Sequence, residues 1–191
     1  SKELERLATA ANKWWDLLDD YAHVVQNLEH EDPAKAADLW VKIARWYGDH
    51  VAHVEYAIHS AQSALRLDPN HVGALAALAD FHRKRGAYGD LIGVLSTHAE
   101  IEKDPQKRVD LHLSLADLQE TQMQDPTQAI ASYQAALLAD PTQSDALSAL
   151  DRLYRRHEMW GQLINVLERK AENSVEVDEQ KRNPLDFALW K

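Results

Sequence analysis

The chain has 191 residues, of which 31 are acidic and 21 are lysine or arginine, so its formal net charge at pH 7 is -10. It contains no cysteine, which excludes disulfides, thiolate catalysis and cysteine-based metal sites. The negative charge disfavours nucleic acid and anionic membranes as partners, and no run of about 18 apolar residues predicts a membrane span. With only six glycines and six prolines, the composition favours a helical protein.

Asp-Pro pairs divide the chain at regular intervals. Four of the five pairs, at residues 32–33, 68–69, 104–105 and 140–141, follow one another at intervals of 36 residues. An aspartate side chain can accept a backbone N–H at a helix N-terminus, and proline fits the first helical turn, so each pair predicts a helix start. Between the pairs, apolar residues such as Leu91, Leu95 and Ala99 recur at helical spacing. Each 36-residue repeat therefore predicts two antiparallel helices.

The sequence also matches itself at an offset of 72 residues, without a gap from Asp32 to Glu100. Residues 88–95 (YGDLIGVL), for example, lie over residues 160–167 (WGQLINVL). The N-terminal residues join the series at an offset of 146, where Trp14 lies over Trp160. This period predicts an alternating module of two repeats. Because the series begins midway through a repeat, we expect the chain to be a fragment of a longer array.

Two of the repeats resemble the tetratricopeptide repeat (TPR) family in their second helices. The matching patterns are Ala57-x3-Ala61-x2-Ala64-x4-Pro69 and Ala129-x3-Tyr133-x2-Ala136-x4-Pro141. The intervening repeats depart from the pattern, because they place leucine where the family has alanine and an aromatic residue. The resemblance covers residues 2–172 and implies an all-α fold, a right-handed superhelical solenoid of antiparallel helix pairs. The segments it implies are a partial repeat at 1–31, four repeats at 32–67, 68–103, 104–139 and 140–173, and a tail at 174–191.

The C-terminal tail abandons the repeat pattern. Residues 175–191 resemble a short internal segment of bacterial cysteinyl-tRNA synthetases but carry none of that enzyme's catalytic or zinc-binding signatures. A gene fusion, a joining artefact, an appended peptide and chance all remain alternatives, and a fusion would make the chain an accessory arm of a tRNA-related enzyme. Alternatively, Asn183 and Pro184 begin a short helix whose apolar residues Leu185, Ala188 and Leu189 cap the last repeat.

The resemblance also implies a concave groove lined by the first helix of each repeat, a surface on which such folds hold an extended peptide or a partner helix. Its spacing places charged residues on this surface, and the candidate peptide-binding residues are Arg45, Asp80, Arg83, Lys84, Asp117, Glu120, Arg152, Arg155 and Arg156. Clusters of basic residues suit a partner with acidic side chains. Alternatively, these are ordinary solvated helix charges at salt-bridge spacing. No Lys-x3-Asn occurs on the first helices, so binding of chaperone tails is not supported.

Aromatic residues and histidines provide further candidates. Trp14 and Trp160 occupy equivalent repeat positions, which predicts that both pack in the core, and His82 is expected between helices. Trp15 and Trp40 have no apolar counterpart at their equivalents, so we predict both as exposed contact anchors. A metal site at His50, His53 and His59 is disfavoured, because no glutamate or cysteine partner accompanies them at ligand spacing.

No motif for nucleophilic catalysis, phosphate binding or metal binding is present, so neither an enzyme nor a cofactor is predicted. The leading hypothesis is a non-catalytic scaffold whose concave groove binds a peptide or a helix of a partner protein, with a cytoplasmic location favoured. The alternative is an assembly module that forms homo-oligomers through the ends of the solenoid or through the tail.

Overall fold

The computed structural model describes residues 2–181, with side chains described for residues 3–173. Helices are the only regular elements in this part of the chain, which confirms the predicted all-α class. They are α1 (Lys2–Ala11), α2 (Trp14–Glu31), α3 (Pro33–Trp46), α4 (Val54–Leu67), α5 (Val72–Arg85), α6 (Tyr88–Ile101), α7 (Pro105–Thr121), α8 (Pro126–Ala139), α9 (Ser144–Arg156) and α10 (Trp160–Lys181). No helix in the described part is both long and apolar enough to cross a bilayer.

The chain divides into two compact units between Glu102 and Lys103. In the first unit, consecutive helices from α2 to α6 pack against one another. Its core combines large residues such as Leu18 and Ile43 with fully buried alanines on α3, α4 and α5, namely Ala36, Ala37, Ala44, Ala57, Ala61, Ala64, Ala74 and Ala77. Alanine at these places lets neighbouring helices approach closely, while the larger side chains fill the spaces between them.

A π-helical turn at Tyr47–Val51 connects α3 to α4 in the first unit. The turn ends at Ala52, whose φ of 55° places it in the left-handed region. The next residue, His53, begins α4 by accepting the Tyr56 backbone N–H on its Nδ1 atom at 3.4 Å. This connection brings residues from the end of α3 and the start of α4 to the same edge of the unit.

The second unit contains α7 to α10, and consecutive helices again pack against one another. Its core includes Val109 of α7, Ala129 of α8, Leu147 of α9 and Leu163 of α10. Tyr154 is 2% exposed, but its hydroxyl accepts a 2.8 Å hydrogen bond from the Gln134 side-chain amide. Burying the ring while pairing its polar end avoids the cost of an unsatisfied hydroxyl.

The Asp-Pro prediction is correct for two pairs and wrong for two. Asp32 and Asp104 each accept backbone N–H groups from the first turns of α3 and α7, as predicted. Asp68 and Asp140 instead follow the ends of α4 and α8, and their carboxylates close turns by accepting the N–H of the residue two positions on. The next helices start at Val72 and Ser144. Helix starts and turns therefore alternate along the 36-residue series, which gives the 72-residue period a structural basis.

The predicted repeat boundaries at the two ends coincide with helix ends only in part. The partial repeat at 1–31 forms two helices, α1 and α2. At the other end, α10 continues without a break past the predicted boundary at residue 173 to Lys181. The predicted capping helix from Asn183 lies outside the described residues, as does most of the segment that resembles cysteinyl-tRNA synthetase. The likeness to that enzyme is not shown.

Candidate protein-binding surfaces

The four predicted charged residues of the first unit lie together on α3 and α5, and three of them pair with one another. Arg45 of α3 donates from Nη1 to Oδ2 of Asp80 on α5 at 2.7 Å, and Arg83 reaches the other oxygen of the same carboxylate at 3.5 Å. Lys84 lies 3.8 Å from Asp49 of the π-helical turn. The cations predicted for this surface are thus already matched by carboxylates, as the salt-bridge interpretation expects.

The second unit has a corresponding ion pair between its first helices. Glu120 of α7 accepts two hydrogen bonds from Arg152 of α9, one of them 2.9 Å from Nη2 to Oε2. This fork-to-fork contact lowers the pKa of Glu120 below its ordinary value, and the charges of Arg152 and Arg156 lower it further. Asp117, also predicted as a groove residue, lies exposed one turn earlier on α7.

The other arginines of α9 differ from each other in their partners. Arg155 donates from Nε to Asp151 at 2.6 Å, and the second oxygen of Asp151 accepts from Lys170 of α10 at 3.0 Å. Arg156 has neither a hydrogen bond nor an ion pair with any described residue. We call the surface formed by Arg152, Arg155 and Arg156 the α9 arginine surface. Arg156 is unmatched in the sense that no described carboxylate binds it directly, although its charge acts on Glu120.

A cavity lies beside Arg156 at the junction of α7, α8 and α9. Its volume is about 440 Å³, and its lining includes Glu120, Pro126, Leu153, Arg156 and His157. Because the Glu120 carboxylate is bound to Arg152, Arg156 remains the cation available to an incoming acidic group. Leu153 and Pro126 form the apolar part of the cavity wall. The arrangement can hold a carboxylate beside a short apolar side chain.

The two tryptophans predicted as exposed anchors differ in burial. Trp15 is 52% exposed, and its role as a contact stays a prediction. The prediction for Trp40 is wrong, because this side chain is 6% exposed in the core and its Nε1 donates to Oε1 of Glu29 at 2.6 Å. Trp14 is buried as predicted, whereas the prediction that Trp160 packs is also wrong, since it is 57% exposed at the first residue of α10.

Two of the three histidines considered for a metal site, together with His82, make structural contacts. The His50 ring stacks on Trp14 with centroids 3.9 Å apart, His53 begins α4, and His59 is exposed. His82 is 5% exposed between helices, as predicted, and its burial lowers its pKa. Among the described residues, no group of three metal-ligating side chains comes together.

Comparison with known proteins gives three findings. A tetratricopeptide-repeat family model matches residues 74–109. Anaphase-promoting complex subunit 7 of Arabidopsis thaliana is 33% identical over 97 residues, which are 50% of this chain and 16% of that protein. The chain therefore matches about a sixth of this curated relative's length.

A tetratricopeptide repeat is present in this chain.

Two solved structures resemble the TPR-containing chain in fold. The crystal structure of MamA is 14% identical with a TM-score of 0.54, and the match covers 90% of this chain and 95% of that one. The crystal structure of YrrB, described as a TPR protein with an unusual peptide-binding site, is 15% identical with a TM-score of 0.52, covering 78% and 74% of the two chains. At these identities, the likeness shows that the fold is TPR-like.

Two surfaces of these repeats were not predicted from the sequence. The first is an apolar stripe on α10, which consists of Trp160, Ile164 and Leu167, exposed by 57%, 56% and 39%. The second is an aromatic patch in the first unit, formed by Trp15, Tyr47, His53 and Tyr56. The spacing of four and three residues along α10 is visible in the sequence, but the equivalence of Trp160 to Trp14 predicted packing in the core.

Proposed function

We propose that this chain is a non-catalytic scaffold that binds a peptide or a helix of a partner protein on the first helices of its repeats. The TPR-like fold and the tetratricopeptide repeat at 74–109 support a protein-interaction role. The binding surface is the α9 arginine surface with its adjoining cavity. The ligand is a segment of the partner protein in which an acidic residue is flanked by a small apolar residue.

The unmatched guanidinium of Arg156 carries this proposal. Its neighbours Arg152 and Arg155 are bound by Glu120 and Asp151, so an acidic ligand at either place would compete with an existing ion pair. At Arg156 the ligand would gain a charge-assisted hydrogen bond without displacing a carboxylate. The nearby positive charges of Arg152 and Arg155 would also favour the approach of an acidic segment.

Fluorescence anisotropy with labelled hexapeptides tests this proposal. The probes are a peptide of glutamate and alanine, the same peptide with glutamine in place of glutamate, and the same peptide with lysine in place of glutamate. We expect saturable binding of the acidic peptide alone, and a loss of about tenfold in affinity for Arg156→Gln. Arg6→Gln, which removes an exposed arginine of α1, is the matched control and should leave the affinity unchanged. Equal binding of all three peptides, or an unaffected Arg156→Gln, would reject the proposal.

Homo-oligomer formation is a second candidate function, favoured by the apolar stripe on α10. Trp160, Ile164 and Leu167 lie at i, i+4 and i+7 and thus on one helix face. Their equivalents in the first unit, Tyr88, Ile92 and Leu95, are half-buried or buried. The same helix face is thus at least half-buried on α6 but exposed on α10. An exposed apolar face of this kind can pack against another helix, which a second copy of the chain can supply.

Light scattering over a range of protein concentrations tests this second function. The proposal expects concentration-dependent association that Ile164→Asp abolishes. Leu138→Asp is the matched control, because Leu138 is 87% exposed and lies on α8 outside the stripe. A monomer at every concentration, or equal association of both variants, would remove this function while leaving peptide binding at Arg156 unaffected.

A further inference from the structure

The aromatic patch of the first unit brings four rings together at its surface. The Trp15 ring lies edge-to-face against Tyr47, His53 and Tyr56, with centroids 5.9 to 6.0 Å away. Tyr56 stacks on His53 at 4.0 Å and contacts Tyr47 at 5.4 Å. Although these contacts hold the rings in place, Trp15 remains 52% and Tyr56 49% exposed. The patch thus presents a fixed aromatic surface to solvent.

The equivalent connection in the second unit shows that the fold does not need these rings. At the 72-residue offset, Ala52 corresponds to Gln124, and both have left-handed φ values, 55° and 54°. His53 corresponds to Asp125, and each begins the following helix with a side-chain cap. A residue in the left-handed region followed by a helix-capping side chain therefore occurs in both units.

The side chains at these equivalent positions differ. Gln119, Asp125 and Gln128 stand where the first unit has Tyr47, His53 and Tyr56. Trp15 corresponds to Gly161 at the 146-residue offset. Since the connection in the second unit has the same backbone conformation without aromatic residues, repeat packing alone does not account for the patch.

The charges beside the patch are acidic. The Glu55 carboxylate lies 3.7 Å from Nδ1 of His53. Burial raises the pKa of the neighbouring Tyr47 hydroxyl. Within the described side chains, lysine and arginine lie over the rings of Trp46 and Phe81, but over none of the four patch rings. The patch therefore combines exposed aromatic surface with an adjacent carboxylate, that of Glu55.

We propose that the aromatic patch binds an arginine-containing basic segment of a partner protein. A guanidinium is planar, stacks on aromatic rings and pairs with carboxylates through several donors, so it matches both features of the surface. This surface is separate from the α9 arginine surface and prefers the opposite charge. The inference goes beyond the proposed function and does not depend on Arg156.

A labelled heptapeptide of alternating glycine and arginine tests the inference by fluorescence anisotropy with the full chain. Peptides with lysine or glutamate in place of arginine serve as comparisons. We expect saturable binding of the arginine peptide, weaker binding of the lysine peptide, and none of the acidic one. Trp15→Ala should weaken arginine-peptide binding about tenfold, and Tyr56→Gln about threefold. Glu55→Gln should weaken it and reduce its salt dependence.

Controls separate this result from a loss of structure and from the other proposals. Leu138→Ala removes an exposed apolar side chain of the second unit that lies outside both proposed surfaces, and it should bind the arginine peptide like the wild type. Tyr56→Gln installs the residue found at the equivalent position of that unit, so its circular dichroism should be unchanged. Arg156→Gln should also leave this binding unchanged. The inference is overturned if the arginine peptide does not saturate, if Trp15→Ala and Tyr56→Gln bind it normally, or if Trp15→Ala converts a dimer into a monomer.

Discussion

Asp80 of α5 and Arg152 of α9 lie 72 residues apart at equivalent repeat positions and carry opposite charges. Each forms an ion pair with a residue on the first helix of the preceding repeat in its unit. In the first unit the cation is on α3 and the anion on α5, as Arg45 and Asp80. In the second unit the anion is on α7 and the cation on α9, as Glu120 and Arg152. Reversing the polarity preserves an ion pair between neighbouring first helices, so the pair rather than the sign of either partner is the common feature.

Reversal of the first pair should therefore be tolerated only when both partners change. Asp80→Arg places a third cation beside Arg45 and Arg83 and should lower the free energy of unfolding by about 1 kcal/mol. Arg45→Glu combined with Asp80→Arg should recover part of this loss. Because both side chains are more than one third exposed, the coupling energy should be about 0.5 kcal/mol and should shrink in high salt. Urea unfolding of the wild type, Arg45→Glu, Asp80→Arg and the double variant measures it, and zero coupling at low salt would contradict the prediction.

The Glu120 pair predicts a loss of stability in acid. Arg152 lowers the folded-state pKa of Glu120 below its ordinary value of 4.5. The resulting stabilisation is complete above about pH 4.5 and disappears as the pH falls through the lower folded-state pKa. Glu120→Gln should lower the free energy of unfolding by about 1 kcal/mol at pH 7, and this difference from the wild type should shrink steadily as the pH falls below 4.5.

Urea midpoints of the two proteins between pH 7 and pH 2 measure this dependence. Glu168→Gln, which changes an exposed glutamate of α10 in the same unit, is the control and should differ little from the wild type at any pH. A constant difference between Glu120→Gln and the wild type across the whole range would show that the Glu120 charge does not stabilise the fold.

The repeat pattern predicted the helix pairs because apolar spacing and alanine positions are local properties of each helix. The pattern did not distinguish an aspartate that caps a helix from one that closes a turn. In both cases the side-chain carboxylate accepts a nearby backbone N–H group. Asp32 and Asp68 look alike in the sequence, but α3 begins directly after Asp32, whereas α5 begins only at Val72. The later start is set by His71, which accepts the Ala74 N–H on its own ring nitrogen.

The sequence also predicted which charges share a surface but not which of them remain unmatched. Spacing along one helix fixes a helix face, whereas pairing depends on the distance to the neighbouring helix. Arg152 and Arg156 lie one turn apart on α9, yet Glu120 reaches only Arg152 with hydrogen bonds. The aromatic patch was missed for the same reason, because Trp15 and Tyr56 are far apart in the sequence and meet through the packing of helices.

Gly48 in the π-helical turn should not accept a side chain. A Cβ atom at this position would clash with Cε1 of Phe81 and lie 3.0 Å from its Cζ. Phe81 is fully buried, so its ring has little room to move. Gly48→Ala should therefore lower the free energy of unfolding by about 1–3 kcal/mol.

Gly93→Ala is the matched control for Gly48→Ala. Gly93 lies within α6, and a Cβ atom there would meet nothing within 4 Å. Alanine is the better helix former, so this variant should gain about 0.5–1 kcal/mol. Urea unfolding compares the two, and equal effects would mean that contact with Phe81 does not restrict residue 48.

Trp15 and Trp40 should respond differently to the same substitution, although their repeat positions suggested similar roles. Trp40→Ala leaves a cavity in the core and removes the donor to Glu29, so it should lower the free energy of unfolding by about 3–5 kcal/mol. Trp15→Ala removes a half-exposed ring and should cost about 1 kcal/mol or less. Urea unfolding followed by circular dichroism measures both without relying on tryptophan fluorescence. Similar losses for the two variants would mean that Trp15 belongs to the core and is not a surface available to a partner.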